Sequence, residues 1–143
     1  MSYLAVGVGG FFGAITRYVT GQWFVDLVLV TGFPWGTLVI NLLGCFILSL
    51  FITLALDLLV ISPFIRVGIS TGFIGAFTTF STFSLDTVQL LQNHQFGYAG
   101  LYVFSSIFLC IAMSALGLVV ARGIEQFQIN KGAKEESVDG MEM

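Results

Sequence analysis

The sequence predicts an all-α integral membrane protein whose basic unit is four helices. Of the 143 residues, 57% are hydrophobic and only 9% are charged, and the mean hydropathy is +0.98. Soluble domains carry about 25% charged residues, so this composition excludes an ordinary soluble domain. With only five Lys and Arg residues, a protein that neutralises nucleic-acid phosphates is also excluded, and we expect no nucleic-acid partner.

Breaker and polar segments divide the chain into four apolar stretches. A helix that spans a lipid bilayer needs about 20 apolar residues. Thr31–Pro34 follows the first stretch, Ser62-Pro63 precedes the third, and the polar turn Gln92–Gln95 ends the third. The sequence therefore predicts one transmembrane domain, residues 1–124, with helices at about 4–25, 36–56, 64–91 and 96–121.

The net charge of the chain belongs to its C-terminal end. Residues 1–124 carry three Arg and three Asp, whereas residues 125–143 carry two Lys and five acidic residues and so the whole net charge of −3. The low isoelectric point therefore gives no indication of a basic partner. Because residues 125–143 lack apolar periodicity, they are predicted to be a disordered acidic tail.

The basic residues favour one orientation without fixing it. Four spans place both termini on one side, and that side receives Arg66, Arg122, Lys131 and Lys134, while Arg17 lies within a span. The positive-inside rule then favours cytoplasmic termini. One unit of this size has no room for the inverted repeat of many transport folds, so dimerisation is expected. A second copy and an oppositely oriented paralogue both stay open as the partner.

Polar side chains lie inside three of the predicted spans. A charge at Arg17 is costly in hydrocarbon, so we expect it to face protein or water. The Asn41 amide needs partners there, and either joins helices or donates to an anion. In the last span, polar residues recur at four-residue steps and either line a wet path or pack closely: Tyr102, Ser106, Cys110 and Ser114.

The centre of the third predicted helix is the most specific feature of the chain. Residues 72–84 mix Gly, hydroxyl and aromatic side chains, which predicts a break near Gly75–Thr79 whose carbonyls suit a small cation such as Na⁺. Phe80 and Phe83 share a helix face, and the positive edges of their rings can stabilise an anion. Hydroxyls of Ser81 and Thr82 add weak donors. This combination favours a path for a small hydrated anion.

Three motifs in order, at residues 9–18, 36–44 and 72–84, resemble the CrcB/Fluc family of microbial fluoride channels over roughly residues 4–124. The resemblance implies a multi-pass protein of the plasma membrane that exports F⁻ passively and so lowers its toxicity. It also implies an antiparallel, dual-topology dimer in the bilayer, with two fluoride pores and a structural Na⁺ at its centre.

The same resemblance assigns roles to individual residues. The implied fluoride pore contains Phe80, Phe83, Asn41, Ser81, Thr82, Thr79, Tyr102 and Ser106. The implied vestibule contains Arg17, Thr37 and Asp86, and the main-chain carbonyls of Gly75 and Thr78 are the implied Na⁺ ligands. The chain departs from the family pattern at Ala76, where a second Gly is common, at Asp86, where Glu is frequent, and at Cys110, where a hydroxyl residue is common.

Two other functions remain as alternatives. A small multidrug-type cation exporter needs a carboxylate within the membrane, but the charge in the first predicted helix is Arg17, and no acidic residue lies at its mid-span. A non-transporting membrane scaffold subunit would not need the Thr, Phe and Ser residues of positions 79–84. An enzyme is not expected, because no nucleophile–base pair is found and the single His94 lies in a predicted loop.

Overall fold

The computed structural model describes residues 2–58 and 61–139, with side chains through residue 131, and these residues form helices and no strand. This confirms the all-α prediction. The elements in chain order are α1 (Ser2–Gln22), α2 (Val25–Thr31), α3 (Trp35–Asp57), α4 (Pro63–Val67), a π-helical segment (Gly68–Ile74), α5 (Gly75–Phe77), α6 (Phe80–Gln92) and α7 (Phe96–Asp139).

Local sequence signals set several helix ends. Gly32 adopts φ 69° after α2 and its N–H bonds to the Val28 carbonyl, a left-handed conformation that glycine adopts without steric cost. The Ser62 hydroxyl accepts from the Ile65 N–H at 3.4 Å, and Pro63 follows as the first residue of α4. These ends divide the chain close to the predicted connections.

The third predicted helix is interrupted in the structure, as the sequence predicts. Thr78 leaves the helical region with ψ 160°, and Thr79 is extended with φ −150° and ψ 125°. The interruption lies at the C-terminal end of the predicted interval Gly75–Thr79, since Gly75 itself is still helical. Upstream of it, seven residues adopt π-helix, a geometry that often accompanies functional sites.

Glycines allow two close backbone contacts between helices. A Cβ atom at Gly13 of α1 would meet the carbonyl oxygen of Phe73 in the π-helical segment. A Cβ atom at Gly117 of α7 would lie 2.6 Å from the carbonyl oxygen of Phe46 in α3. Small residues permit this kind of approach in membrane helices. The fold thus consists of an α1/π-helix pair and an α3/α7 pair, with the break at Thr78 and Thr79 beside α3.

Two helices, Trp35–Asp57 and Phe96–Lys131, are long and apolar enough to cross a membrane. The third predicted span is divided into shorter pieces, and the four-span topology stays a prediction. Large apolar side chains are exposed along several helices, for example Leu4 at 72%, Phe104 at 65% and Val119 at 66%. A surface of this kind is typical of contact with lipid or another chain.

The last helix differs from the predicted bounds. The sequence predicts a helix over 96–121 followed by a disordered tail, whereas α7 continues to Asp139 and residues 140–143 lie outside the described residues. The extension contains Ala, Glu, Gln and Lys, which are good helix formers, and no Pro interrupts it. A helix of 44 residues is about 66 Å long, roughly twice the hydrocarbon thickness of a bilayer.

Candidate functional site

The break between α5 and α6 is held by the side chain of Asn41 on α3. Asn41 Nδ2 donates to the Thr79 carbonyl at 3.0 Å, and the Thr79 N–H donates to Asn41 Oδ1 at 2.9 Å. Thr79 is only 8% exposed, so its N–H would otherwise lack a partner in an apolar environment. Asn41 therefore joins α3 to the break, which is one of the two roles that the sequence left open for it.

Hydroxyl groups close the start of α6. Thr79 Oγ1 accepts from the Thr82 N–H at 3.1 Å, as an N-cap residue does. The same oxygen lies 3.0 Å from Thr82 Oγ1 and 3.2 Å from Ser81 Oγ. Three of the hydroxyl residues assigned to the pore, Thr79, Ser81 and Thr82, thus form one hydrogen-bonded group at the break.

The break also removes the helical donors of several backbone carbonyls, two of which are those assigned to Na⁺. In a continuous α-helix the Gly75 carbonyl would accept from the Thr79 N–H, which instead donates to Asn41. The Thr78 carbonyl would accept from the Thr82 N–H, which instead donates to Thr79 Oγ1. Thr78 Oγ1 lies 3.1 Å from the Ile74 carbonyl and 3.5 Å from that of Gly75. The two carbonyls assigned to Na⁺ are therefore among those that lose their helical donors at the break, and as hard oxygen ligands they fit such a cation.

A carboxylate cluster joins three helices beyond the break. Thr37 Oγ1 of α3 donates to Asp86 Oδ2 of α6 at 2.6 Å, and the Tyr102 hydroxyl of α7 donates to the same oxygen at 3.3 Å. Tyr102 has no exposed surface and is one of the most fully buried side chains. Its hydroxyl is thus directed to Asp86. We call these three residues the carboxylate cluster.

Phe80 and Phe83 have different environments although they lie on the same face of α6. The ring of Phe80 is 78% exposed, and its centroid lies 5.6 Å from that of Phe83. The Phe83 ring lies 5.2 Å from the Tyr102 ring and packs on a buried apolar cluster. Phe83 is therefore anchored in the protein interior, whereas Phe80 projects from it.

A groove of about 320 Å³ lies on the other side of the break, between α3, α6 and α7. It is lined by Asn41, Thr79, Phe80, Phe83 and Ser106, together with apolar side chains and two cysteines. Ser106 is 7% exposed, and its buried Oγ has no hydrogen-bond partner among the described residues. A buried hydroxyl without a partner is costly, so Ser106 at the groove wall needs an acceptor that the described residues do not supply. We call it the open groove.

A second cavity, of about 430 Å³, contains the three residues assigned to the vestibule. Arg17 of α1, Thr37 of α3 and Asp86 of α6 all line it. Thr79 lines this cavity as well as the open groove. The break is therefore the point at which the two cavities adjoin.

One feature escaped the sequence interpretation. The four-residue polar spacing that the sequence suggested on α7 has a counterpart on α3. The two rows run in register, because Thr37 and Tyr102 share Asp86 at one end and Ser49 bonds to the Ser114 carbonyl at the other. The resulting α3–α7 polar seam consists of Thr37, Asn41, Cys45 and Ser49 on α3 and Tyr102, Ser106, Cys110 and Ser114 on α7. The spacing of this row on α3 is visible in the sequence, where the prediction included only Thr37 and Asn41.

Comparison with known proteins identifies the family. Residues 4–118 match the family model described as CrcB-like protein, Camphor Resistance (CrcB). The chain is 46% identical to the fluoride-specific ion channel FluC of Acidobacterium capsulatum, covering 87% of this chain and 98% of that protein. It is 40% identical to FluC of Rhizobium etli, covering 85% and 96%, and 42% identical to FluC 1 of Moorella thermoacetica, covering 85% and 86%.

These relatives bear on several of the sequence predictions. Their names are those of an ion channel and not of an enzyme, which confirms the expectation that this chain is not an enzyme. The resemblance drawn from the three motifs is confirmed as well, over nearly the range predicted. The chain belongs to the CrcB family of membrane proteins.

Proposed function

We propose that the chain is a fluoride-selective ion channel that passively exports F⁻ from the cytoplasm of a microbe. The observation that carries the proposal is the open groove, in which the unpartnered Ser106 hydroxyl lies with the Phe80 and Phe83 rings. Relatives at 40–46% identity carry the name of a fluoride-specific ion channel, which supports fluoride as the ion.

The chemistry of the open groove suits a small anion that must leave again. Its lining contains aromatic rings, hydroxyls, an amide and thiols, and no charged side chain among the described residues. Ring edges and hydroxyl donors attract an anion weakly, whereas a fixed positive charge would retain it. Conduction requires binding that is weak enough for release.

We propose that a second chain in the opposite orientation covers the open groove. The Phe80 ring is 78% exposed at the edge of the groove, which is unusual for the side chain of a binding site and is explained if a second chain packs there. Two antiparallel chains would complete two grooves, and hence two pores. The released carbonyls of Gly75 and Thr78 from both chains would supply four oxygen ligands for a central structural Na⁺.

The direction of transport follows from acid–base chemistry and the membrane potential. Neutral HF crosses a bilayer from an acidic medium and ionises in the more alkaline cytoplasm. A channel for F⁻ then lets the potential, negative inside, drive the anion out. The proposal places the chain in the plasma membrane with four spans and requires neither ATP nor a coupled ion.

The test is a flux measurement on the purified protein in liposomes. Vesicles loaded with fluoride or with chloride are diluted into salt that lacks the anion, a K⁺ ionophore provides charge balance, and electrodes record efflux. We expect fast fluoride efflux and no chloride efflux above that of protein-free vesicles. Absence of fluoride efflux, or equal chloride efflux, would overturn the proposal. Replacing Na⁺ by a large organic cation throughout purification tests the central ion, and undiminished flux would exclude its role.

A further inference from the structure

The α3–α7 polar seam contains two facing thiols that the proposed channel function does not use. At the N-terminal end of the seam, Thr37 and Tyr102 share the Asp86 carboxylate. At its C-terminal end, the Ser49 hydroxyl donates to the Ser114 carbonyl at 2.7 Å. The two helices therefore run parallel and in register over this length, so that Cys45 faces Cys110 in the turn between.

Both thiols face the open groove. Cys45 and Cys110 are half-buried, are not in a disulfide, and both line the groove that also contains Ser106. Ser49 bonds to the Ser114 carbonyl one turn further along both helices, which places Cys45 and Cys110 opposite each other across the groove that both of them line. They are also the only two cysteines of the chain.

We propose that Cys45 and Cys110 form a two-coordinate site for a soft metal cation, with Hg²⁺ as the representative ion. Thiolates select soft cations of this kind. One Hg²⁺ binds both sulfurs, the two thiols release one proton each to water, and the product is a neutral dithiolate bridge. Metal–thiolate bonds of about 2.3 Å place two ligating sulfurs about 4.6 Å apart in a linear arrangement, a separation that facing side chains on two adjacent helices can span.

Occupation of this site would close the open groove. The bridge would lie one helical turn from Asn41 and Ser106, across the space between α3 and α7 that the groove occupies. A bridging heavy atom fills this space and ties the two helices together at the same point. This part of the inference rests on the proposed function, since it takes the groove as the path of the ion.

A thiol titration tests the metal site without any flux measurement. Hg²⁺ is added in steps to the detergent-purified full chain, and the remaining thiols are counted with a chromogenic disulfide reagent. We expect one Hg²⁺ per chain to remove both thiols. A requirement for two Hg²⁺ per chain would overturn the proposal, because each cysteine would then bind its own ion. Cys45→Ser and Cys110→Ser serve as controls, each losing one thiol per Hg²⁺ with weaker affinity.

A flux measurement tests the closure of the groove. Hg²⁺ should abolish fluoride efflux from liposomes, and a dithiol chelator should restore it. Loss of the second ligand removes an intramolecular contact worth a factor of about 10²–10⁴, so Cys45→Ser and Cys110→Ser should each need at least about 100-fold more Hg²⁺. Full flux at saturating Hg²⁺ would overturn the closure. If the chain carries no fluoride at all, the channel proposal fails, while the titration still decides the metal site.

Discussion

The carboxylate cluster and the open groove lie next to each other on the same three helices, α3, α6 and α7, yet they satisfy their polar groups in opposite ways. In the cluster, Thr37 and Tyr102 both donate to Asp86. In the groove, one turn further along α7, the buried Ser106 hydroxyl has no partner among the described residues. A buried polar group without a partner costs free energy, so the two regions contribute differently to stability.

This difference separates structural roles from a role in ion binding. The hydrogen bonds of the carboxylate cluster stabilise the fold, so removing one of them should lower the unfolding free energy. The Ser106 hydroxyl can find a partner only outside the described residues, so removing it should change ligand binding. Asn41 and Thr79 lie between the two regions. Their hydrogen bonds hold the break, and Thr79 at the break lines both the open groove and the second cavity, which Thr37 and Asp86 of the cluster also line.

The largest effect is expected for Asn41→Leu, which would disrupt the packing of both the carboxylate cluster and the open groove. The substitution leaves the buried N–H of Thr79 without a partner, which costs about 1–3 kcal/mol, and removes one of the hydrogen bonds to the Thr79 carbonyl, which costs about 0.5–1.5 kcal/mol. We expect a loss of about 1.5–4.5 kcal/mol in unfolding free energy, aggregation in detergent and no fluoride flux. Gel filtration and thermal unfolding measure the stability.

Asn41→Asp is the matched variant for this position. It keeps an acceptor for the Thr79 N–H but loses the donor to the Thr79 carbonyl, and it adds a negative charge to the groove. We expect a smaller loss of stability than for Asn41→Leu, together with fluoride flux near zero. A folded Asn41→Leu protein with normal flux would contradict the structural role of Asn41.

The next largest effect is expected for Phe80→Ala, which affects the groove alone. Because the ring is 78% exposed, its removal leaves no cavity, and the unfolding temperature of a single chain should not fall. The loss of the ring edges should reduce fluoride flux about 100-fold, equivalent to ~2.7 kcal/mol in the barrier. Phe104→Ala, also exposed and absent from the groove lining, should leave the flux unchanged. Equal effects of the two variants would contradict the assignment of Phe80.

Thr37→Val tests the carboxylate cluster, and we expect the reverse of Phe80→Ala: lower stability with nearly unchanged fluoride flux. It removes the 2.6 Å hydrogen bond to Asp86, and a hydrogen bond to a charged group is worth about 1.5–3 kcal/mol. We expect a loss of this size in unfolding free energy and, because the groove is not altered, fluoride flux within about threefold of wild type. Flux abolished with stability retained would show that the cluster belongs to the ion path and not to the frame.

The sequence predicted the helix break itself, but not the side-chain contacts that hold the break in place. Gly and β-branched residues near Thr79 are poor helix formers, and this local property is visible in the sequence alone. The apolar length of the second and fourth helices was likewise visible. What could not be read was the use of the Asn41 amide, because its partner lies 38 positions away and only the packing of α3 against the break brings the two together.

Side-chain direction was equally beyond the sequence. The spacing on α7 indicated one polar row, but not that the Tyr102 hydroxyl bonds to Asp86 while the Ser106 hydroxyl bonds to nothing among the described residues. The facing of Cys45 and Cys110 likewise depends on the register between two helices that are not adjacent in the chain. Local pattern predicts which residues share a helix face; packing decides what they meet.

The smallest effect is expected for Ser106→Ala, and it gives the sharpest test of the comparison. Because Ser106 Oγ is buried and makes no hydrogen bond to the described residues, its removal should leave the unfolding temperature equal to wild type or raise it. The loss of one weak donor to the ion should reduce fluoride flux about tenfold, or ~1.4 kcal/mol. Ser105→Ala is the matched control, since the neighbouring hydroxyl donates to the Tyr102 carbonyl at 3.1 Å and does not line the groove. It should leave the flux unchanged. A Ser106→Ala protein that loses stability and keeps its flux would assign this hydroxyl to helix packing and remove it from the ion path.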